Sequence, residues 1–157
     1  MTQKLPAWIE VGAFVLALIA GLINVIGLIG FQHQSVSHLT GTVSLFSLKI
    51  VQGEWPAVQH FIGVMLSFFL GAMLSGLIIQ NATLKLGRRY SVALFIESVF
   101  LIFALIMLQG NYSAGDFWAS AACGLQNAMI STYSGAVIRT THVTGTVTDL
   151  GALIGQY

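Results

Sequence analysis

One peptide occurs twice in this chain, and both copies carry a histidine. His38-Leu39-Thr40-Gly41-Thr42-Val43-Ser44 and His142-Val143-Thr144-Gly145-Thr146-Val147-Thr148 agree at five of seven positions. Imidazole changes charge near neutral pH. Glycine is a poor helix former, and threonine favours the cap where a helix starts. His-x-Thr-Gly-Thr therefore reads as irregular backbone opening into a short helix, with the threonines as natural N-caps. A helix start exposes unpaired amides and a partial positive charge, which suit an anion or a polar carbonyl group. The chemistry expected of His38, Thr40, Thr42, His142, Thr144 and Thr146 is reversible binding of a small polar or anionic solute. The alternative is that these side chains only satisfy backbone groups where two helices break.

Other polar residues extend the pattern. Arg139 stands three residues before His142 and adds a fixed positive charge. Asp149 lies two helical turns after His142 on nearly the same face, with Leu45 at its place in the first copy. Together with Glu97 it is a candidate for ion or proton coupling, because a carboxylate among apolar residues is costly and needs a partner or a water path. Pairing with His142 or Arg139 is the structural alternative for Asp149; a hydrogen bond to a neighbouring helix is that for Glu97. Gly21-Leu22-Ile23-Asn24 matches Gly124-Leu125-Gln126-Asn127, so Asn24 and Asn127 occupy equivalent places. They join the candidate solute site, or else bond between helices. No hydrolase or oxidoreductase constellation is present. His-Glu-x-x-His is missing and one cysteine is too few for a thiolate metal site. No enzyme activity, metal or cofactor is expected.

These residues must be positioned by elements that suit lipid. The 157 residues are 56% hydrophobic and 7% charged, against about 25% charged in soluble domains. So little charge cannot cover a soluble surface, and the bilayer becomes the expected partner. A net charge of +1 offers no basic patch for nucleic acid. Cys123 reads as a small buried hydrophobe. The N-terminal apolar run is too long for a signal peptide. It reads as a retained membrane helix anchored by Trp8.

Six segments follow: A (9–31), B (39–51), C (58–80), D (91–108), A′ (116–138) and B′ (from 141). Segment B, at about 20 Å, is short of a hydrocarbon core of about 30 Å. Residues 52–56 read as the turn that ends it. Segment C carries Gly63, Ser67, Gly71 and Ser75 at four-residue spacing, a stripe that lets helix backbones approach. Residues 1–110 then form a first repeat, A to D, and 111–157 begin a second. Equivalents of C and D are expected after Tyr157, or a second subunit, as in a homo-oligomer, must supply their surface.

Lys85, Arg88 and Arg89 mark a cytoplasmic loop. If B re-enters rather than spans, Lys4 lies on the same side, and the two repeats are inverted, as in many secondary transporters. The expected fold is an all-α, polytopic membrane protein with short broken or re-entrant helices.

The runs at 37–41, 124–127 and 140–151 resemble those of the YoaK family of bacterial integral membrane proteins, a domain of unknown function. The resemblance covers nearly the whole chain. It implies a multi-pass protein of the bacterial inner membrane and names no substrate. Members often have Asp where Asn24 stands, and are longer.

Overall fold

The computed structural model describes residues 7–29, 34–79, 88–134 and 141–156, without the side chains of Trp8, Ile9 and Thr146. All regular structure among them is helical: α1 (Ala7–Ile29), α2 (Leu39–Gln52), α3 (Trp55–Ile78), α4 (Arg88–Gln109), α5 (Ala114–Tyr133) and α6 (Val143–Gly155). Three helices are long and apolar enough to cross a membrane: α1 over Glu10–Ile29, α3 and α4. Phe14, Phe69 and Phe95 stand exposed on their outer faces.

The segment boundaries shift where the sequence misled. Trp55 and Pro56 open α3 instead of closing the preceding turn. Proline suits a first turn because its missing N–H would have had no helical partner there. The turn itself is made by Gly53, at φ 71°, whose N–H returns to Ile50 O while Glu54 N–H returns to Lys49 O. Glycine takes that left-handed conformation without a Cβ clash. Arg88 and Arg89 lie inside α4. Helix α5 closes at Tyr133, with Ser134 as its cap. Lys4, Lys85, Arg139 and Thr140 lie outside the described residues.

Helix α5 is the axis of the packing, with α3, α4 and α1 against it. It carries the polar residues Asp116, Ser120 and Gln126, all buried. They face protein, so α5 tolerates a composition that lipid would not. The α3–α5 seam is close enough to exclude side chains. A Cβ on Gly71 would strike the Ala121 carbonyl, and one on Gly124 the Phe68 carbonyl. On Gly63 a Cβ would meet the Phe117 ring at 2.7 Å. The stripe on segment C is thus a packing face, with Ser75 fully buried on it.

Helix direction follows from the contacts. Ala13 and Leu16 of α1, Ile79 at the end of α3, Ala93 of α4 and Tyr133 of α5 share one apolar cluster. Gln126 Nε2 donates to Leu16 O. Thus α1 and α4 begin where α3 and α5 end, and α1 runs antiparallel to both α3 and α5. Helix α2 lies between α1 and α3 in sequence and, at 14 residues, is not among the helices long and apolar enough to cross a membrane. Its leading loop is well inside, because Ser120 Oγ lies 3.0 Å from Val36 O and 2.9 Å from Val64 O. His38 and Leu39 then share a cleft with Phe68, thirteen residues into α3. At 1.5 Å per residue, Phe68 is about 20 Å along α3 from Trp55, and α2 is about 21 Å long. The two lengths match, so α2 carries the chain from the middle of α3 back to its starting end.

Candidate functional site

The loop before α2 is held from behind. Asn24 Oδ1 accepts three hydrogen bonds, from Ser35 Oγ at 2.8 Å, Val36 N at 3.1 Å and Ser37 N at 2.9 Å. Ser35 Oγ in turn accepts from His38 N at 3.0 Å. Thr42 is fully buried, and its hydroxyl reaches Ser35 O at 2.9 Å and His38 O at 3.2 Å. These bonds place His38 at the mouth of α2 and leave its ring exposed.

The helix starts themselves differ from expectation. The N-cap residues are His38 and His142, not threonines, and neither helix has a side-chain cap bond. Thr40 and Thr144 fall one residue inside their helices. The first turns of α2 and α6 therefore offer backbone donors that no cap side chain fills.

The two copies line shared clefts. His38, Thr40, Thr141 and His142 line a cleft of about 260 Å³ together with Ser37, Leu39, Phe68 and Asn127. An adjoining opening of about 550 Å³ is lined by His38, Thr40, Gly41, Thr141, His142, Val143 and Thr144. The first reaches Phe68, near the midpoint of α3. The His142 ring lies over Gly145, where any Cβ would collide with it. Nothing lies within 4 Å of a Cβ on Gly41.

Of the residues expected at a solute site, His38, Thr40, Asn127, His142 and Thr144 line these two clefts. Asn24 and Thr42 do not; they stand behind the loop. The side chain of Thr146, with Arg139, lies outside the described part. The expected coupling acids are elsewhere. Asp149 is exposed on α6 and lines neither cleft. Glu97 is buried on α4, with Oε2 lacking a hydrogen-bond partner, and also lines neither.

A second polar cluster escaped the sequence reading. His60 Nε2 of α3 lies 3.1 Å from Asp116 Oδ2 of α5, with side-chain exposures of 10% and 9%. Gln34 Nε2 donates to the same oxygen at 3.4 Å. The signal available in sequence was a lone ionisable residue in each of two apolar helices, a functional hypothesis by default. Among the described residues no group of His, Cys, Asp and Glu is arranged to hold a metal ion.

Long apolar helices around a buried polar one define a membrane-type helical protein. The chain belongs to the family described as protein of unknown function DUF1275, whose model matches residues 12–157. No curated protein and no solved structure matches it.

Proposed function

We propose that this chain is a YoaK-type, multi-pass transporter or channel of the bacterial inner membrane, and not an enzyme. Its cargo is a small polar or anionic solute, bound between the first turns of α2 and α6. The observation that carries this reading is the shared lining of one opening by His38, Thr40, His142 and Thr144, beside a cleft that reaches Phe68 of α3. Uncapped helix starts supply amide donors and a positive field, and two imidazoles add ring nitrogens that can donate or accept hydrogen bonds. A polar cleft at mid-depth, between interrupted helices of antiparallel repeats, is where secondary transporters bind cargo. In a bilayer α2 is then re-entrant, and the Arg88–Arg89 end of α4 faces the cytoplasm with the start of α1.

The test is uptake by the purified chain in proteoliposomes, screened with inorganic anions, small carboxylates and neutral polyols. His142→Ala is expected to remove at least nine-tenths of any uptake, about 1.4 kcal/mol or more in transition free energy, while the protein stays folded. It should also remove solute-induced thermal stabilisation, which reports binding to the native state. A rival reading, a non-transporting scaffold with structural caps, draws on the bracing by Asn24 and Thr42 in the first copy. An unstable His142→Ala protein that retains its solute shift would favour that rival.

A further inference from the structure

His60 and Asp116 lie where a polar mouth meets an apolar interior. His60 lines an open cleft of about 510 Å³ with Glu54, Pro56, Ala57 and Ser113. Asp116 lines an apolar pocket of about 210 Å³ on its other side, among Ile23, Val36, Ala104 and Ala119. The Phe117 ring lies 4.9 Å from the His60 ring between centroids. Gln34 is fully buried beside the pair, and among the described residues Gln34 Oε1 has no hydrogen-bond partner.

We infer that His60, Asp116 and Gln34 form a proton-binding site, loaded from the cleft beside the α2–α3 turn and linked to the loop that presents His38. Its use as the coupling site rests on the transport reading above; proton binding itself does not.

Among the described residues the charges around the pair are few. The α2–α3 turn brings Glu54, whose carboxylate is already held by Lys49 at 2.8 Å. Asp116 is the contribution of α5. Residues 101–109 of α4 and 21–29 of α1, which lie alongside, contain no titratable side chain. Neutral His60 on a carboxylate leaves the pair with one negative charge in surroundings that stabilise it poorly. A hydronium ion in the cleft gives its proton to the ring nitrogen of His60 that does not face Asp116, and becomes water. The Nε2 proton stays on the Asp116 side, and the pair becomes an ion pair with no net charge.

The link to the motif is a chain of bonds. Gln34 and His60 share Asp116 Oδ2 as acceptor. A charged imidazole binds that oxygen more strongly than a neutral one, which alters the hold of Gln34. Gln34 lies in the loop that Asn24 and Ser35 tie to His38. Proton occupancy at His60 is thereby felt at the start of α2.

The experiment is a titration of the full chain in lipid nanodiscs, without solute, followed by nuclear magnetic resonance of nitrogen-labelled histidine rings and glutamine amides. The four histidines are assigned by single substitutions. The His60 ring should pass from neutral to charged signals as protons are added, and the Gln34 side-chain amide should shift along the same curve. Asp116→Asn, or His60→Gln if that variant does not fold, should abolish the matched Gln34 shift. A His60 ring that keeps one protonation state overturns the site on the wild-type chain alone. A Gln34 shift that survives either substitution overturns the link. Because no solute is present, failure of the transport reading leaves these spectra unchanged. Conversely, a static His60 with His142-dependent uptake intact removes only the proton site.

Discussion

The two copies of His-x-Thr-Gly-Thr start helices of nearly equal length, 14 and 13 residues, in very different surroundings. The first is built in. Helix α2 lies against α3, Thr42 is buried, and Asn24 gathers three donors of the preceding loop on one oxygen. The second stands open. Among the described residues α6 makes no helix–helix packing contact, and Val143, Val147, Leu150 and Ile154 are exposed. Even the shared glycine differs: Gly41 faces open space, while Gly145 lies under the His142 ring. The same residues make the same local structure, a helix whose N-cap is histidine. What each side chain then does is set by its neighbours, and those come from elsewhere in the chain.

This difference can be pressed by substitution. The largest effect is expected from the matched asparagines. Asn24→Leu leaves three buried donors without an acceptor, at about 1–3 kcal/mol each when unrelieved. The expected loss is about 3 kcal/mol or outright failure to fold. Asn127→Leu, at a half-buried residue that lines the cleft, should cost less than half as much as Asn24→Leu. Thermal unfolding in a single detergent compares the two; equal losses would mean the second copy is braced like the first.

A smaller contrast lies within the first copy. Thr42→Val removes a buried hydroxyl that holds two carbonyls and should cost about 1–2 kcal/mol. Thr40→Val changes an exposed cleft residue and should stay within about 0.5 kcal/mol, while weakening any solute-induced shift. The reverse order in the unfolding curves would exchange their roles of brace and site.

The smallest stability effects are expected at the glycines. Gly41→Ala meets no neighbour and removes a poor helix former, so it should be neutral or stabilising by up to about 1 kcal/mol. Gly145→Ala pushes the His142 ring aside. A side chain can swing away, so folding should change little while solute binding falls. Identical binding by the two variants would show that the ring position over Gly145 has no part in the site.

Much of this was legible in the sequence, for physical reasons that also mark where legibility stopped. Apolar runs of twenty or so residues gave the long helices, and the shortness of segment B matched the 14 residues of α2. The four-residue stripe of Gly63, Ser67, Gly71 and Ser75 gave the α3–α5 seam, because helical periodicity places such residues on one face. Asn24 was legible as polar and repeated, but not as the brace of a loop eleven to thirteen residues on. The pairing of His60 with Asp116 spans 56 residues and joins two helices, so no local period records it. The caps were misread because threonine outranks histidine as a capping residue in general, whereas here the bonds of Ser35 and Thr42 fix the backbone at His38.

The central claim is that the two helix starts face one shared cleft, and a cysteine pair tests it most directly. Thr40→Cys with Thr144→Cys places a thiol on each wall, while native Cys123 stays buried. In membranes holding the otherwise intact protein, a short bis-thiol reagent should join the pair rapidly within one chain, and neither single variant should react that way. Solutes that pass the uptake screen should slow the joining. A pair that reacts only as two separate thiols would contradict the shared site.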